Sequence, residues 1–269
     1  MKRTHKIYAI LNMLVLVAII FWNYWVNAKG LNGNTMSSLS DEYINLFTPA
    51  AYAFSIWGII FLALFTQALF FLKRAFSSTL NSDFLDQVGP FLLLTNIGNG
   101  AWIYFWLMEM TGISVLVMLG ILTCLVTIII RTNMERWDAP RATIFWLWWP
   151  ICLYSGWIAV ATIANISAYL GKNNWSGLGI SELTWAVIMI VVAVLLNIFM
   201  VISRNMREFS LVGVWALIGI AERHWGEIPS LQYAALIGAA ILLIVSGIHG
   251  YKNRKYSPFK IRTTKELYV

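Results

Sequence analysis

The chain is 269 residues long, 59% hydrophobic and 12% charged, with a mean hydropathy of +0.71 and a formal net charge of +7. A water-soluble core cannot absorb that apolar content, so the composition places the chain among integral membrane proteins. The positive balance is assigned to topology and to attraction for anionic lipid, and nucleic acid is excluded as a partner.

Apolar runs separated by short polar stretches fall at about residues 7–28, 50–72, 88–107, 113–130, 144–170, 183–202, 209–223 and 233–250. Most exceed the ~18 residues that mark a spanning helix, and the seventh is short. The first run is too long, and too weakly ended by small residues, for a cleaved signal peptide, so it is taken as a mature span. The expected fold is all-α, with about eight transmembrane helices.

The second span opens with Thr48-Pro49, a proline tolerated in a first helical turn, and continues through Phe54, Trp57 and Phe61, the last two on one face. In the third, Asn99 and Trp102 are three residues apart, which presents amide and indole side by side, with Trp106 one turn on. In the fifth, Trp157, Ala161 and Asn165 follow at four-residue steps, with Ala159 and Ala164 leaving room between them. Lipid alone rejects Asn and mid-span Trp, so these residues are expected to point into the bundle. Wide rings, small gaps and a few amides suit a large, planar, mostly apolar ligand. The same residues also read as packing, with Asn99 and Asn165 as interhelical glue worth ~0.6 kcal/mol per bond. Trp146, Trp148 and Trp149 read as an interfacial belt. Gly238, Ala239, Ala240 and Gly247 on the last span permit close helix approach.

Loop charges set the orientation. With both termini cytoplasmic, sixteen of the nineteen Lys and Arg residues fall inside, leaving only Lys29, Lys172 and Arg223 outside. Six of them lie in the tail after His249, a basic segment interleaved with Tyr256 and Phe259 that reads as an anchor to anionic lipid.

The catalytic inventory is thin. Cys124 and Cys152 lie within spans without CxxC or Cys/His spacing and read as small core residues, with neither a disulfide nor a metal site expected. His5, His224 and His249 are scattered, which disfavours a haem on paired axial histidines; His224, in the Glu222–Glu227 segment, sits where a titration near neutral pH would act on the outer mouth. Phosphate loops, HExxH and GxSxG do not occur. From residue 50 to residue 202 every ionisable acid or base falls in or beside a loop, which disfavours ion-coupled transport. No catalytic residue, metal ligand or required cofactor is assigned.

The stretches from Pro49 to Phe61 (PAAYAFSIWGIIF), from Asn99 to Trp102 (NGAW) with the turn at Met108–Gly112, and from Trp157 to Asn165 (WIAVATIAN) resemble, in order, the signatures of the tryptophan-rich sensory protein and translocator protein family, TspO/MBR. The chain departs from that pattern at Pro49-Ala50, where the family usually has a proline pair, at Ile103 and Tyr104, which replace prolines, and at Pro150, seven residues before Trp157. It also adds about three spans, so the resemblance describes a divergent, extended relative.

That resemblance implies a TspO-like five-helix bundle over residues 1–170, additional helices over 171–250 and a basic cytoplasmic tail over 251–269. It further implies a cavity capped by the loop from Lys29 to Thr48, with Trp57, Asn99, Trp102, Trp157, Ala161 and Asn165 around it. The implied occupant is a porphyrin, haem, another tetrapyrrole or a lipid, bound by a receptor or sensor in a plasma membrane of bacterial type. A facilitative carrier of such ligands, a light-dependent porphyrin-degrading enzyme and an isoprenoid- or carotenoid-modifying enzyme are the alternatives. The expected partners are the ligand, membrane lipid and a second copy of the chain, with the added spans serving as a dimerisation face or as an extension of the cavity.

Overall fold

The computed structural model describes residues 2–43, 45–136 and 139–256; the basic tail beyond Tyr256, with Phe259, lies outside them. Long helices coincide with the eight apolar runs: α1 (Arg3–Lys29), α3 (Ile56–Phe76), α4 (Phe84–Leu107), α5 (Thr111–Arg131), α7 (Trp149–Lys172), α8 (Glu182–Arg204), α9 (Arg207–Arg223) and α10 (Pro229–Lys252). Two short helices complete the set, α2 (Met36–Glu42) in the first loop and the single turn α6 (Arg141–Thr143) before the fifth span. Six of the long helices are apolar and long enough to cross a bilayer by length and composition alone. The remaining two are α4, whose hydropathy is lowered by Asn96, Asn99 and its glycines, and α9, which has only 17 residues. The protein is an all-α, multi-pass membrane protein.

Two boundaries differ from the sequence reading, both through proline chemistry. Pro49 does not enter the second helix: Ala50 is extended, a 3-10 turn follows over Ala51–Ser55, and α3 starts at Ile56. The fifth span likewise begins as α6, passes through a widened turn over Ile144–Trp148 and settles into α7 only at Trp149. Pro150 has no N–H to continue the ladder, so the wide turn takes up the break. Of the supposed tryptophan belt only Trp146 is well exposed, at 44%, whereas Trp148 is buried.

α7 is the central element. Two thirds of its apolar window (67%) is buried inside the protein, against 33–39% for the other five candidate spans. It packs on the earlier helices α3 and α5 and on the later helix α9, which in turn packs on α8 and α10. Without a hydrophobic drive between helices in lipid, close approach rests on small residues. A Cβ at Gly156 of α7 would lie 2.9 Å from the Phe209 carbonyl of α9, and one at Gly213 of α9 would lie 2.6 Å from the Asn197 amide of α8. On the last span Gly238 meets Val194 of α8 in the same way, whereas Gly247 has no atom within 4 Å.

The even number of long helices leaves one end of the bundle carrying both described termini and the other carrying the long first loop. These are the termini end and the lid end.

Candidate functional site

At the lid end, aromatic rings from α3, α4 and α7 enclose a small cavity. Five of the six residues singled out from the sequence, Trp57, Trp102, Trp157, Ala161 and Asn165, form part of its wall. Phe54 meets Trp157 edge-on at 5.9 Å between ring centres, Trp57 stacks on Phe61 at 5.3 Å, and Trp102 stacks on Trp106 at 6.2 Å. The alanines at 161, 164 and 168, one turn apart on α7, supply the open side of the packing. The enclosed volume is about 50 Å³, and a second cavity of about 310 Å³ lies against α1. Met36, Phe54 and Trp57 belong to both walls and form the partition between them.

The two asparagines play different parts. Asn165 is spent on its neighbours: its Oδ1 accepts from Trp102 Nε1 at 2.9 Å and from Ser114 Oγ at 3.3 Å, while its Nδ2 donates to Ser114 Oγ at 3.0 Å. It ties α4, α5 and α7 together. Asn99 is not on the wall of the small cavity, contrary to the shared-cavity expectation. It lies on the side of α4 that faces α1, where its Oδ1 accepts from Asn23 Nδ2 at 3.2 Å; Asn23 in turn lines the second cavity.

Three polar groups around these aromatic rings lack a well-formed hydrogen bond among the described residues. Trp57 Nε1, Asn99 Nδ2 and Tyr154 Oη are buried, with the Tyr154 ring edge-on to Trp57 at 5.8 Å and its hydroxyl beside the Asn99 amide. Buried polar atoms are bonded in the great majority of cases, so a cluster of orphans asks for a ligand or water. Two of the three are donors only, and the phenol can also donate.

The described residues of the loop from Lys29 to Thr48 cover this region as a lid. Gly30 ends α1 with a positive φ of 74°, and Thr35 and Ser38 form a reciprocal cap at the start of α2. Met36, Ser40, Tyr43, Thr48 and Pro49 close the cavity from above. The lid is latched on two sides. On one, Tyr43 Oη donates to Glu109 Oε2 at 2.6 Å, Asn34 Nδ2 to Glu109 Oε1 at 3.3 Å, and Lys172 Nζ lies 3.5 Å from Glu109 Oε2. The Tyr43 bond holds the Glu109 carboxyl below its ordinary value, and burial pushes the Tyr43 hydroxyl up.

The second latch comes from the added helices. Arg223 pairs with Asp41 at 2.9 Å, and His224 Nε2 donates to the Leu46 carbonyl at 3.1 Å. Glu182 Oε1 accepts from the Leu46 N–H at 3.3 Å. Below the lid, Trp215 Nε1 donates to the Ala53 carbonyl at 2.9 Å, and the Ala50 N–H donates to the Gly219 carbonyl at 2.9 Å. Burial lowers the His224 imidazole below its usual value, so it stays neutral near pH 7. Beside the latch, Tyr43 separates the cavity from an open groove of about 660 Å³ lined by Lys172, Trp175, Glu182 and Trp185.

Sequence reasoning missed Tyr43, Glu109 and the α9 contacts with the lid, and considered Tyr154 only as a candidate reactive group of an enzyme. Tyr154 carries a signal in hindsight, a tyrosine one residue short of a turn before Trp157 inside an apolar run. Of the latch residues only His224 was marked, at the outer mouth, and its partner on the lid was not, because that partner lies on another loop.

A family model described as TSPO-like protein matches residues 9–248, which takes in both the first five spans and the added ones. No curated protein and no solved structure matches the chain.

Proposed function

On the premise that this chain belongs to the TSPO-like protein family, we propose that it is a receptor of sensor type for a large, flat, hydrophobic ligand that carries hydrogen-bond acceptors, a porphyrin, another tetrapyrrole or a lipid. The observation that carries this reading is the set of unpartnered donors, Trp57 Nε1, Asn99 Nδ2 and Tyr154 Oη, set among stacked aromatic rings. Rings supply area, and orphaned donors supply the orientation that an acceptor-bearing ligand completes.

The closed cavity of about 50 Å³ holds no porphyrin as it stands. Rotation of Trp57 or Phe54 joins it to the neighbouring 310 Å³ space, and the sum enters the ~300–1,000 Å³ range of small-molecule sites. Release of the lid from Glu109 and Arg223 opens the same region toward the groove beside α8. The ligand is thus bound by moving a partition and a lid, and those movements are the signal a sensor needs.

The test is saturable quenching of tryptophan emission by protoporphyrin in the detergent-purified full chain, compared with Ala161→Phe, which fills the cavity. Saturation in the wild type and its loss in the variant support the proposal. Equal, unsaturable quenching in both means partitioning into the micelle and overturns it. Proteoliposome flux of the same porphyrin separates receptor from carrier, since a receptor passes none.

A further inference from the structure

At the termini end, three ligand-type side chains from different parts of the chain meet beneath two interlocked turns. After α5 the chain doubles back through Asn133 (φ 45°) and Glu135 (φ 61°), both in the left-handed region. A non-glycine residue there is strained and persists only where its surroundings fix it. The α8–α9 turn does the fixing. Asn205 Nδ2 donates to the Glu135 carbonyl at 2.6 Å, and Arg136 Nε donates to the Ser203 carbonyl at 3.1 Å.

The strained turn aims the Glu135 carboxylate into the bundle. One oxygen of Glu135, one oxygen of Glu208 in the first turn of α9, and the sulfur of Cys152 near the start of α7 all lie within 4.8 Å of one another. Cys152 is 0% exposed, and Glu135 Oε1 and Glu208 Oε2 are buried without a hydrogen-bond partner among the described residues. Two ionised carboxylates and a thiolate cannot satisfy one another. Burial and the neighbouring Glu208 push the Glu135 carboxyl up to about 8, with Arg207 opposing the rise, as expected where two acids share a buried site.

We propose that Glu135, Cys152 and Glu208 bind one borderline divalent transition-metal ion, Zn²⁺ by ligand chemistry, which clips α5 and α7 of the first unit to α9 of the added helices. A thiolate excludes the hard cations Mg²⁺ and Ca²⁺, whereas Zn²⁺ accepts sulfur at ~2.3 Å and carboxylate oxygen at ~2.0–2.2 Å. Ligands at those bond lengths around one tetrahedral ion sit ~3.3–3.8 Å apart, so the three atoms need to close by about 1 Å, within the reach of glutamate rotamers. The Asn205 bond to the Glu135 backbone is the outer support that holds a first ligand in place. Arg207, the other cation near both glutamates, has its guanidinium carried toward Gly250, where a Cβ would lie 3.3 Å from Nη1.

The experiment is a Co²⁺ titration of the detergent-purified full chain, free of any histidine tag, followed by optical absorption, with Zn²⁺ content measured in parallel. One ion per chain and a thiolate-to-cobalt charge-transfer band are expected. The band persists in Cys124→Ser, the other of the chain's two cysteines, and is lost in Cys152→Ser. Glu135→Gln and Glu208→Gln each weaken binding about tenfold or more while keeping the band. Zn²⁺ raises the melting temperature of the wild type and leaves Cys152→Ser unchanged. No saturable uptake by the wild type overturns the proposal, and so does a charge-transfer band that survives Cys152→Ser. Should Cys152→Ser fail to fold, wild-type stoichiometry and the Cys124→Ser spectrum decide the matter alone.

Discussion

Around the lid-end cavity, buried atoms of Trp57, Asn99 and Tyr154 that lack a bond are neutral and can donate; at the termini end, those of Glu135 and Glu208, beside a buried thiol, accept when ionised. The lid end has spent most of its remaining polarity on itself, through Asn165, Trp102 and Ser114. The termini end has not. Opposite orphans ask for opposite guests: an acceptor-bearing apolar molecule among rings, and a cation among acids. The two regions are joined through α7 and α9, which pack on each other and each contribute to both ends.

Breaking that joint gives the largest effect. Gly156→Val places side-chain atoms against the Phe209 carbonyl, and overpacking of this kind costs about 1–3 kcal/mol. Thermal unfolding in detergent is expected to fall accordingly, with the loss of ligand binding and ion binding together. A loss confined to one end would separate the regions.

Asn165→Leu tests the self-satisfied network. It leaves Trp102 Nε1 without its acceptor and removes the partner of Ser114, and bonds of this type in membrane bundles average ~0.6 kcal/mol with a maximum near ~1.7. A stability loss of about 1 kcal/mol is expected by the same unfolding measurement. Trp57→Phe sharpens the contrast: it removes an indole N–H that has no partner in the free protein, so the stability loss is limited to ring packing against Phe61 and Tyr154. Ligand affinity is expected to drop about tenfold or less, the equivalent of one hydrogen bond at ~1 kcal/mol.

The smallest effect is electrostatic. His224 is held below its ordinary value of 6.5 by burial, so the unfolded chain takes up a proton first as the pH falls. Its neutral contact with Leu46 therefore loses stability below about pH 6.5, with Arg223 opposing the charge and Glu227 and Glu182 favouring it. Glu109, held low by Tyr43, adds a loss in the same direction at lower pH, as the pH falls through its depressed value. The melting temperature is expected to be lower at pH 5 than at pH 7, and His224→Gln is expected to lack the first part of that difference.

The spans were legible because lipid imposes length and apolarity on any crossing helix, and the eight apolar runs coincide with the eight long helices. Trp57, Trp102, Trp157, Ala161 and Asn165 were legible as inward-facing because such residues are expensive toward lipid. What each does was not. Asn165 depends on Ser114 from another helix, and Asn99 is turned away by a rotation that spacing alone does not define. The lid latches were invisible because Asp41 and Arg223 are 182 residues apart and both read as solvated loop charges. Glu135 and Glu208 read the same way. Only the left-handed turn at Glu135 and its capture by Asn205 bring a loop carboxylate inside, beside a cysteine that periodicity marks as core packing.

The most direct measurement compares two porphyrins on the purified chain, protoporphyrin with its two carboxylates and an octaalkyl porphyrin without them, in wild type and in Trp57→Phe. The account predicts tighter saturable binding of the carboxylate-bearing porphyrin, an advantage that shrinks in Trp57→Phe while the alkyl porphyrin is unaffected. Equal affinity for both porphyrins, unchanged by Trp57→Phe, would contradict a site built around unpartnered donors.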